Sequence, residues 1–229
     1  MQRWGTFAAG LLAVGFCVAP LADAAEKHSN AEVLLFETDH LRKITRPVSL
    51  RYNFKKEGAL EEGYEDSVEI RITRIAKDGG KTVSTKFLSG KRRRDFPPVE
   101  HAVGNPVLLY FLEREIREMQ RLTGGQHRYF QQRIRLALAD HAEVRAVTFR
   151  YRGRQLSGNE VRIAPYRDDP LKSRYEKYAP KYYVFTLSDD LPGSVYQIRA
   201  VLPGTDGGKT ALMEEMLTFD RASEPAGKQ

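Results

Sequence analysis

An α+β chain, built on a mainly antiparallel and curved β-sheet with an inserted helical hairpin and a short third helix, is predicted by three features of the sequence. Segments on both sides of the middle alternate apolar and polar residues with a period of two, as antiparallel strands with one buried face do. From Asn105 to Leu138 the apolar spacing changes to three and four, which is the period of a helix. Turn residues such as Asp78-Gly79-Gly80 and Pro192-Gly193 punctuate the alternating segments. With 41% hydrophobic and 29% charged residues, the 229-residue chain belongs among folded globular proteins. A mean hydropathy of -0.51 excludes a multi-spanning membrane protein.

The N-terminus is predicted to be a cleavable signal peptide over 1–24. Arg3 supplies a positive start, an apolar run extends from Phe7 to Ala19, and Ala22-Asp23-Ala24 offers small residues where a peptidase cuts. The run is too short to span a bilayer, which needs roughly 20 apolar residues. Cys17, the only cysteine, follows Phe16 rather than the small residue a lipidation signal requires. The exported chain would then be cysteine-free, which suits an oxidising periplasm. The expected organisation is a single α+β domain over 25–220, followed by a polar tail over 221–229.

Each element follows from its pattern. Glu32–Glu37 is read as an early strand. Val48, Leu50, Tyr52 and Phe54 alternate along a second strand, Val68, Ile70 and Ile72 along a third, and Asp78-Gly79-Gly80 turns the third into Thr82–Leu88. Asn105-Pro106 opens a helix with a capping residue and a proline at its first position. Leu109, Leu112, Ile116, Met119 and Leu122 form its stripe, with Glu113–Arg117 and Arg114–Glu118 as i,i+4 pairs on the other face. Gly124-Gly125 ends it. Phe130, Ile134, Ala137 and Leu138 mark a second helix, antiparallel to the first.

Strands resume at Val147, Phe149 and Tyr151, turn near Gly153, and continue at Glu160–Ala164. Asp169-Pro170 starts the short third helix, with Leu171, Tyr175 and Tyr178 on one side. Lys181–Ser188, Ser194–Leu202 and Lys209–Phe219 complete the chain as strands. Helical propensity runs throughout Ala211–Leu217, but Gly207-Gly208 reads as a hairpin turn and favours a strand there.

Candidate chemistry is sparse. Pro203-Gly204-Thr205-Asp206-Gly207-Gly208-Lys209-Thr210 falls one glycine short of a phosphate loop and lies too near the C-terminus for the strand that would hold a metal. His127 and His141 are roughly 21 Å apart along one helix and cannot share a metal. His40 and His101 can meet only through folding. The acidic pairs Glu61-Glu62, Asp168-Asp169, Asp189-Asp190 and Glu214-Glu215 keep an extracytoplasmic hydrolase open as an alternative. On a strand, however, Glu214 and Glu215 point to opposite faces. No catalytic residue, metal ligand or cofactor is therefore expected.

A formal net charge of +7 and a pI of about 9.4 favour anionic partners. Lys91-Arg92-Arg93-Arg94 is one basic run. Arg150, Arg152 and Arg154 alternate along what reads as one strand, so their guanidinium groups would share a face and reach several phosphates or carboxylates. These three are the candidate ligand-binding residues. Tyrosines 166, 175, 178, 182 and 183, interleaved with basic residues, have the composition of a nucleic-acid platform, but export argues for core packing instead.

Tyr183–Asp190, the turn Leu191-Pro192-Gly193-Ser194-Val195-Tyr196 and the closing Leu212–Phe219 resemble the paired late strands of the LolA-like periplasmic carriers and related uncharacterised proteobacterial envelope proteins. The resemblance lies in the order of elements and covers the exported chain in outline. It implies a curved antiparallel sheet over helices, with a cavity that holds an acyl chain. The charged helical hairpin and the basic balance depart from that pattern, so no binding residue is carried over. The expectation is a non-catalytic periplasmic binding or envelope-assembly protein for an apolar or lipid-like ligand. Its partners would be a lipid or an anionic envelope component, with peripheral membrane contact and no nucleic acid. The alternative is a module that binds a polyanion such as lipopolysaccharide or polysaccharide. The oligomeric state stays open.

Overall fold

The computed structural model describes residues 28–204 and 211–224. The predicted signal segment, most of the phosphate-loop-like stretch and the end of the tail lie outside these residues. The fold is α+β. Ten strands form one antiparallel sheet: β1 (Val48–Gly58), β2 (Tyr64–Ile75), β3 (Lys81–Phe87), β4 (Arg94–Asp95), β5 (Val99–Ala102), β6 (Glu143–Tyr151), β7 (Arg154–Ile163), β8 (Tyr182–Leu187), β9 (Val195–Pro203) and β10 (Ala211–Ser223). The order is β4-β3-β2-β1-β10-β9-β8-β7-β6, with β5 also on β3. Register shifts in the β1–β10, β9–β10, β2–β3 and β8–β9 pairs bend the strands and curve the sheet.

The inner face of the sheet follows from register. Val161, Phe185, Ile198, Leu217 and Phe54 stand opposite one another across β7, β8, β9, β10 and β1, and all five are buried. Such same-face rows are the packing unit of a sheet. Against them lies α2 (Val107–Thr123), which buries Leu108, Phe111, Glu115 and Met119 at helical spacing. Gly124, at φ +68°, ends the helix in the left-handed conformation that glycine adopts without steric cost. The next helix, α3 (His127–Asp140), buries the predicted Phe130, Ile134, Ala137 and Leu138.

Several expectations change. Glu32–Glu37 is not a strand: a helix over Asn30–Glu32, termed α1, continues as a π-helical turn over Val33–Glu37. Ser29 and Glu32 close a reciprocal capping box, satisfying donors that a helix start leaves free. The closing segment is a strand despite its helical propensity, because β1 pairs with it along ten positions from Gly58 back to Ser49. That pairing carries it to Ser223, beyond Phe219, where the strand was expected to end. Leu109 stands outside the buried stripe at 57% exposure. Finally, Arg114 does not pair with Glu118 but turns inward.

A buried polar knot seats the start of α2. The Asn105 side chain donates to the Tyr52 hydroxyl at 2.8 Å and to the Gly193 carbonyl at 2.9 Å, while its backbone N–H donates to His40 Nδ1 at 3.1 Å. His40 Nε2, 2.9 Å from the Leu34 carbonyl, is then the protonated nitrogen of a neutral ring. Burial lowers the pKa of this imidazole below its ordinary value. Protonation would force Nδ1 to face the Asn105 N–H as a second donor. Because the folded state takes up this proton less readily than the unfolded chain, the His40 contribution is complete above about pH 6.5 and fades as pH falls below it. His40→Gln should therefore cost about 1–3 kcal/mol at pH 7.5. The difference between wild type and variant should shrink at pH 5.5, measured by urea unfolding at both pH values. A difference that is independent of pH would show that the ring contributes only its shape.

Candidate functional site

Three places could carry function: a charged cluster under α2, an apolar groove along the helices, and the arginine-bearing hairpin tip.

The cluster arises because charged residues occupy apolar-stripe positions. Lys56 continues the inward series of Leu50, Tyr52 and Phe54, Glu215 interrupts Met213, Leu217 and Phe219, and Lys181 precedes Tyr183 and Phe185. Glu115 falls within the buried stripe of α2. Register places Lys56 opposite Glu215. Lys181 Nζ lies 2.5 Å from Glu115 Oε2, and Arg114 Nη1 lies 2.8 Å from Glu115 Oε1. Arg114 also grips the Glu215 carboxylate with both of its terminal nitrogens and donates to the Tyr64 hydroxyl at 3.2 Å. Lys56 Nζ reaches Glu215 and Glu118 at 3.2 Å and Glu61 at 2.5 Å. Arg121 closes the outer end on Glu118 and Glu61. The network balances Lys56, Arg114, Arg121 and Lys181 against Glu61, Glu115, Glu118 and Glu215.

Burial pushes the Glu115 carboxyl above its ordinary value, against the pull of Lys181 and with the repulsion of Glu215 added. For Glu215 burial also raises, yet Arg114 and Lys181 prevail and hold it well below the ordinary carboxylate range. Perturbed carboxyls of this kind often mark active sites. Here both side chains are within 1% of complete burial and have no opening to solvent. The network orients α2 on the sheet, and Glu115 and Glu215 are closed to any substrate. Sequence reading had a signal for them: a charge at the parity of a buried stripe.

The groove lies on the other side of the helices. Phe36 from the π-helical turn, Leu109, Leu112 and Ile116 from α2, and Ile134 and Leu138 from α3 form most of its wall, with Phe96 from the β4–β5 loop at one end. The Phe96 ring stacks on Tyr110 with centroids 3.7 Å apart. The volume is about 540 Å³, within the range of ligand pockets. Its polar members are Glu32, Glu113, Gln131 and Arg135. Glu113 is engaged by Arg117 at 2.6 Å and by His127 at 3.0 Å. The space between α2 and the sheet, where an acyl-chain cavity was expected, is occupied by Phe54, Phe111, Tyr183 and the ion network.

Arg150, Arg152 and Arg154 do not form a row. Arg152 and Gly153 are a two-residue turn with φ of +49° and +78°, a geometry that matches strand twist in tight hairpins. Arg150 stands one residue before the end of β6, opposite Gln155, and Arg154 opens β7 opposite Tyr151. Cross-strand partners share a face, and neighbours along a strand do not. Arg150 and Arg154 therefore project to opposite faces, and Arg152 approaches Asp220 at 3.8 Å. All three are exposed. Of the histidines, His40 serves the polar knot, His127 meets Glu113, and His101 lies 3.9 Å from Asp78. Among the described residues no group of three metal-binding side chains converges.

Removing one member of the buried network leaves a charge without its partner, a loss of about 3 kcal/mol or more. Lys181→Met should lose that much in chemical denaturation. Adding Glu115→Gln to it should recover roughly 1 kcal/mol or more, since contacting residues couple by such amounts. Strict additivity of the two changes would remove the pair from the account of how α2 is seated.

No family model matches the chain, and no curated protein matches it. Among solved structures it is similar to the lipoprotein LppX of Mycobacterium tuberculosis, with 12% identity and a TM-score of 0.33 over 78% of this chain and 88% of that one. A LolA superfamily protein from Nitrosomonas europaea shows 8% identity and a TM-score of 0.23 over 86% and 94%. A DUF1329 family protein from Desulfovibrio piger shows 10% identity and a TM-score of 0.26 over 87% and 93%. The superfamily that the order of elements resembles is thus among those this chain is similar to, and at TM-scores this low the likeness carries no argument about what the site does.

Proposed function

We propose that this is a non-catalytic, exported binding protein that holds an apolar, lipid-like ligand in the groove formed by α1, α2 and α3. The observation that carries the reading is the placement of Leu109 and Phe36. Leu109 is 57% exposed and Phe36 is 37% exposed, and both stand at the wall of a volume that Leu112, Ile116, Ile134 and Leu138 continue inward. Contiguous exposed apolar surface of this kind marks interaction sites more often than chance packing. Export rests on the residues before Ala25 and is part of the same proposal. The neutral dye N-phenyl-1-naphthylamine should brighten on binding wild type. Leu109→Glu sets a carboxylate at the mouth, where it cannot disturb the core, and should weaken that binding about tenfold or more with an unchanged melting temperature. Equal titrations for the two proteins would place the ligand elsewhere.

A second reading, contact with an anionic envelope polymer, retains the hairpin tip. What supports it is the gathering of three exposed guanidinium groups within five residues, of which Arg150 and Arg154 have no acidic partner among the described residues. Replacing Arg150, Arg152 and Arg154 by glutamine should weaken binding to lipopolysaccharide in low salt, where charge attraction is least screened. Unchanged binding there would end this reading and leave the groove untouched.

A further inference from the structure

A second cavity of about 440 Å³ adjoins the groove, and the two share Glu32 and Arg135 in their walls. The second cavity is the more polar of the two. Glu32, Gln132, Arg135, Asp140 and His28 line it beside Leu136 and Ala139, so a mainly apolar groove borders a chamber richer in charges of both signs. Such a division of polarity fits one molecule with an apolar tail and a charged head.

The charges that are free to meet a ligand define that head. Arg135 is exposed and has no acidic partner among the described residues; Glu113 is paired with Arg117 and His127, and Glu32 keeps its charge with one oxygen accepting from the Ser29 N–H at 2.9 Å. A guanidinium with its donors free is suited to a phosphate, which it can meet with two parallel hydrogen bonds. Asp140 ends α3, and the last turn of that helix carries no basic residue. A carboxylate there adds to the negative end of the helix dipole, and a cation is the group that relieves it. Arg135 and Asp140 are separated by about 7.5 Å along the helix axis, a span that two side chains reaching into one chamber can close.

We propose that the ligand is a single-chain amphiphile with a zwitterionic head: its acyl tail lies along the groove, its phosphate meets Arg135, and its amine meets Asp140. This rests on the groove being the binding site, and the test separates the two. Three lipids with the same tetradecanoyl chain, lysophosphatidylethanolamine, lysophosphatidic acid and monoacylglycerol, are each used below their micelle concentration to displace N-phenyl-1-naphthylamine. Lysophosphatidylethanolamine should bind tightest. Arg135→Gln should weaken both phosphate lipids about tenfold and leave the monoacylglycerol unchanged. Asp140→Asn should weaken lysophosphatidylethanolamine alone. Both residues are exposed, so neither variant should lose its fold, which circular dichroism and the melting temperature check. If all three lipids bind equally and neither variant changes them, the head is not read and the inference fails while the groove stands. If the dye binds and no lipid displaces it, the amphiphile is excluded. If neither dye nor lipid binds, the groove itself is excluded as the site.

Discussion

The interaction on which this molecule depends is the clamp between Arg114 and Glu215. Two charges removed from water are costly, and their attraction repays the cost only when the geometry is good and the remaining polar atoms are satisfied. Here the bidentate guanidinium meets the carboxylate with two nitrogens, a third interaction goes to Tyr64, and Lys56 adds a second cation 3.2 Å from Glu215. Apolar contacts would hold α2 against the sheet over a range of rotations and slides. A forked ion pair holds it in one. Adjacent Glu115, gripped by Lys181 from just before β8, ties the same helix turn to the other half of the sheet. The helix is thereby fixed to β1, β10 and the approach to β8 within a single turn.

That arrangement also determines which apolar surface of α2 is left open. With Phe111 and Met119 packed inward beside the ion network, the inner side of α2 is closed. Leu109, Leu112 and Ile116 of the same helix face the gap toward α3 and the π-helical turn. A charged core and an apolar outer groove are thus two aspects of one packing decision. The polar knot around His40 and Asn105 acts at the other end: it anchors the first turn of α2 to β1 and to the Gly193 turn, so the groove rests on rigid support.

Much of the fold was legible because it depends on short-range periodicity. Residues alternating along β1, β2 and β7 to β10, and the stripes of α2 and α3, report burial through their own spacing. The failures occurred where a neighbour in space overrides the local pattern. Glu32–Glu37 alternates weakly enough to pass for a strand, yet the Ser29 capping box nucleates a helix. Arg150, Arg152 and Arg154 have perfect alternate spacing, but a two-residue turn at Arg152-Gly153 splits them between two strands and reverses a face. The closing strand shows the opposite case: helical residues become β because β1 presents an edge that must be paired.

The sequence by itself determined the α+β class, the antiparallel alternation, the helical hairpin and the oppositely directed side chains of Glu214 and Glu215, since each follows from backbone geometry within a few residues. Even the buried charges were marked in it, as Lys56, Glu115, Lys181 and Glu215 each stand at a stripe position. Which of them would meet, and that their union would fill the space beneath α2, only the tertiary structure decided. Glu115 and Lys181 are separated by 66 positions, and Arg114 and Glu215 by 101. Their pairing depends on strand order and helix rotation, which arise when the chain closes on itself and which no local spacing encodes.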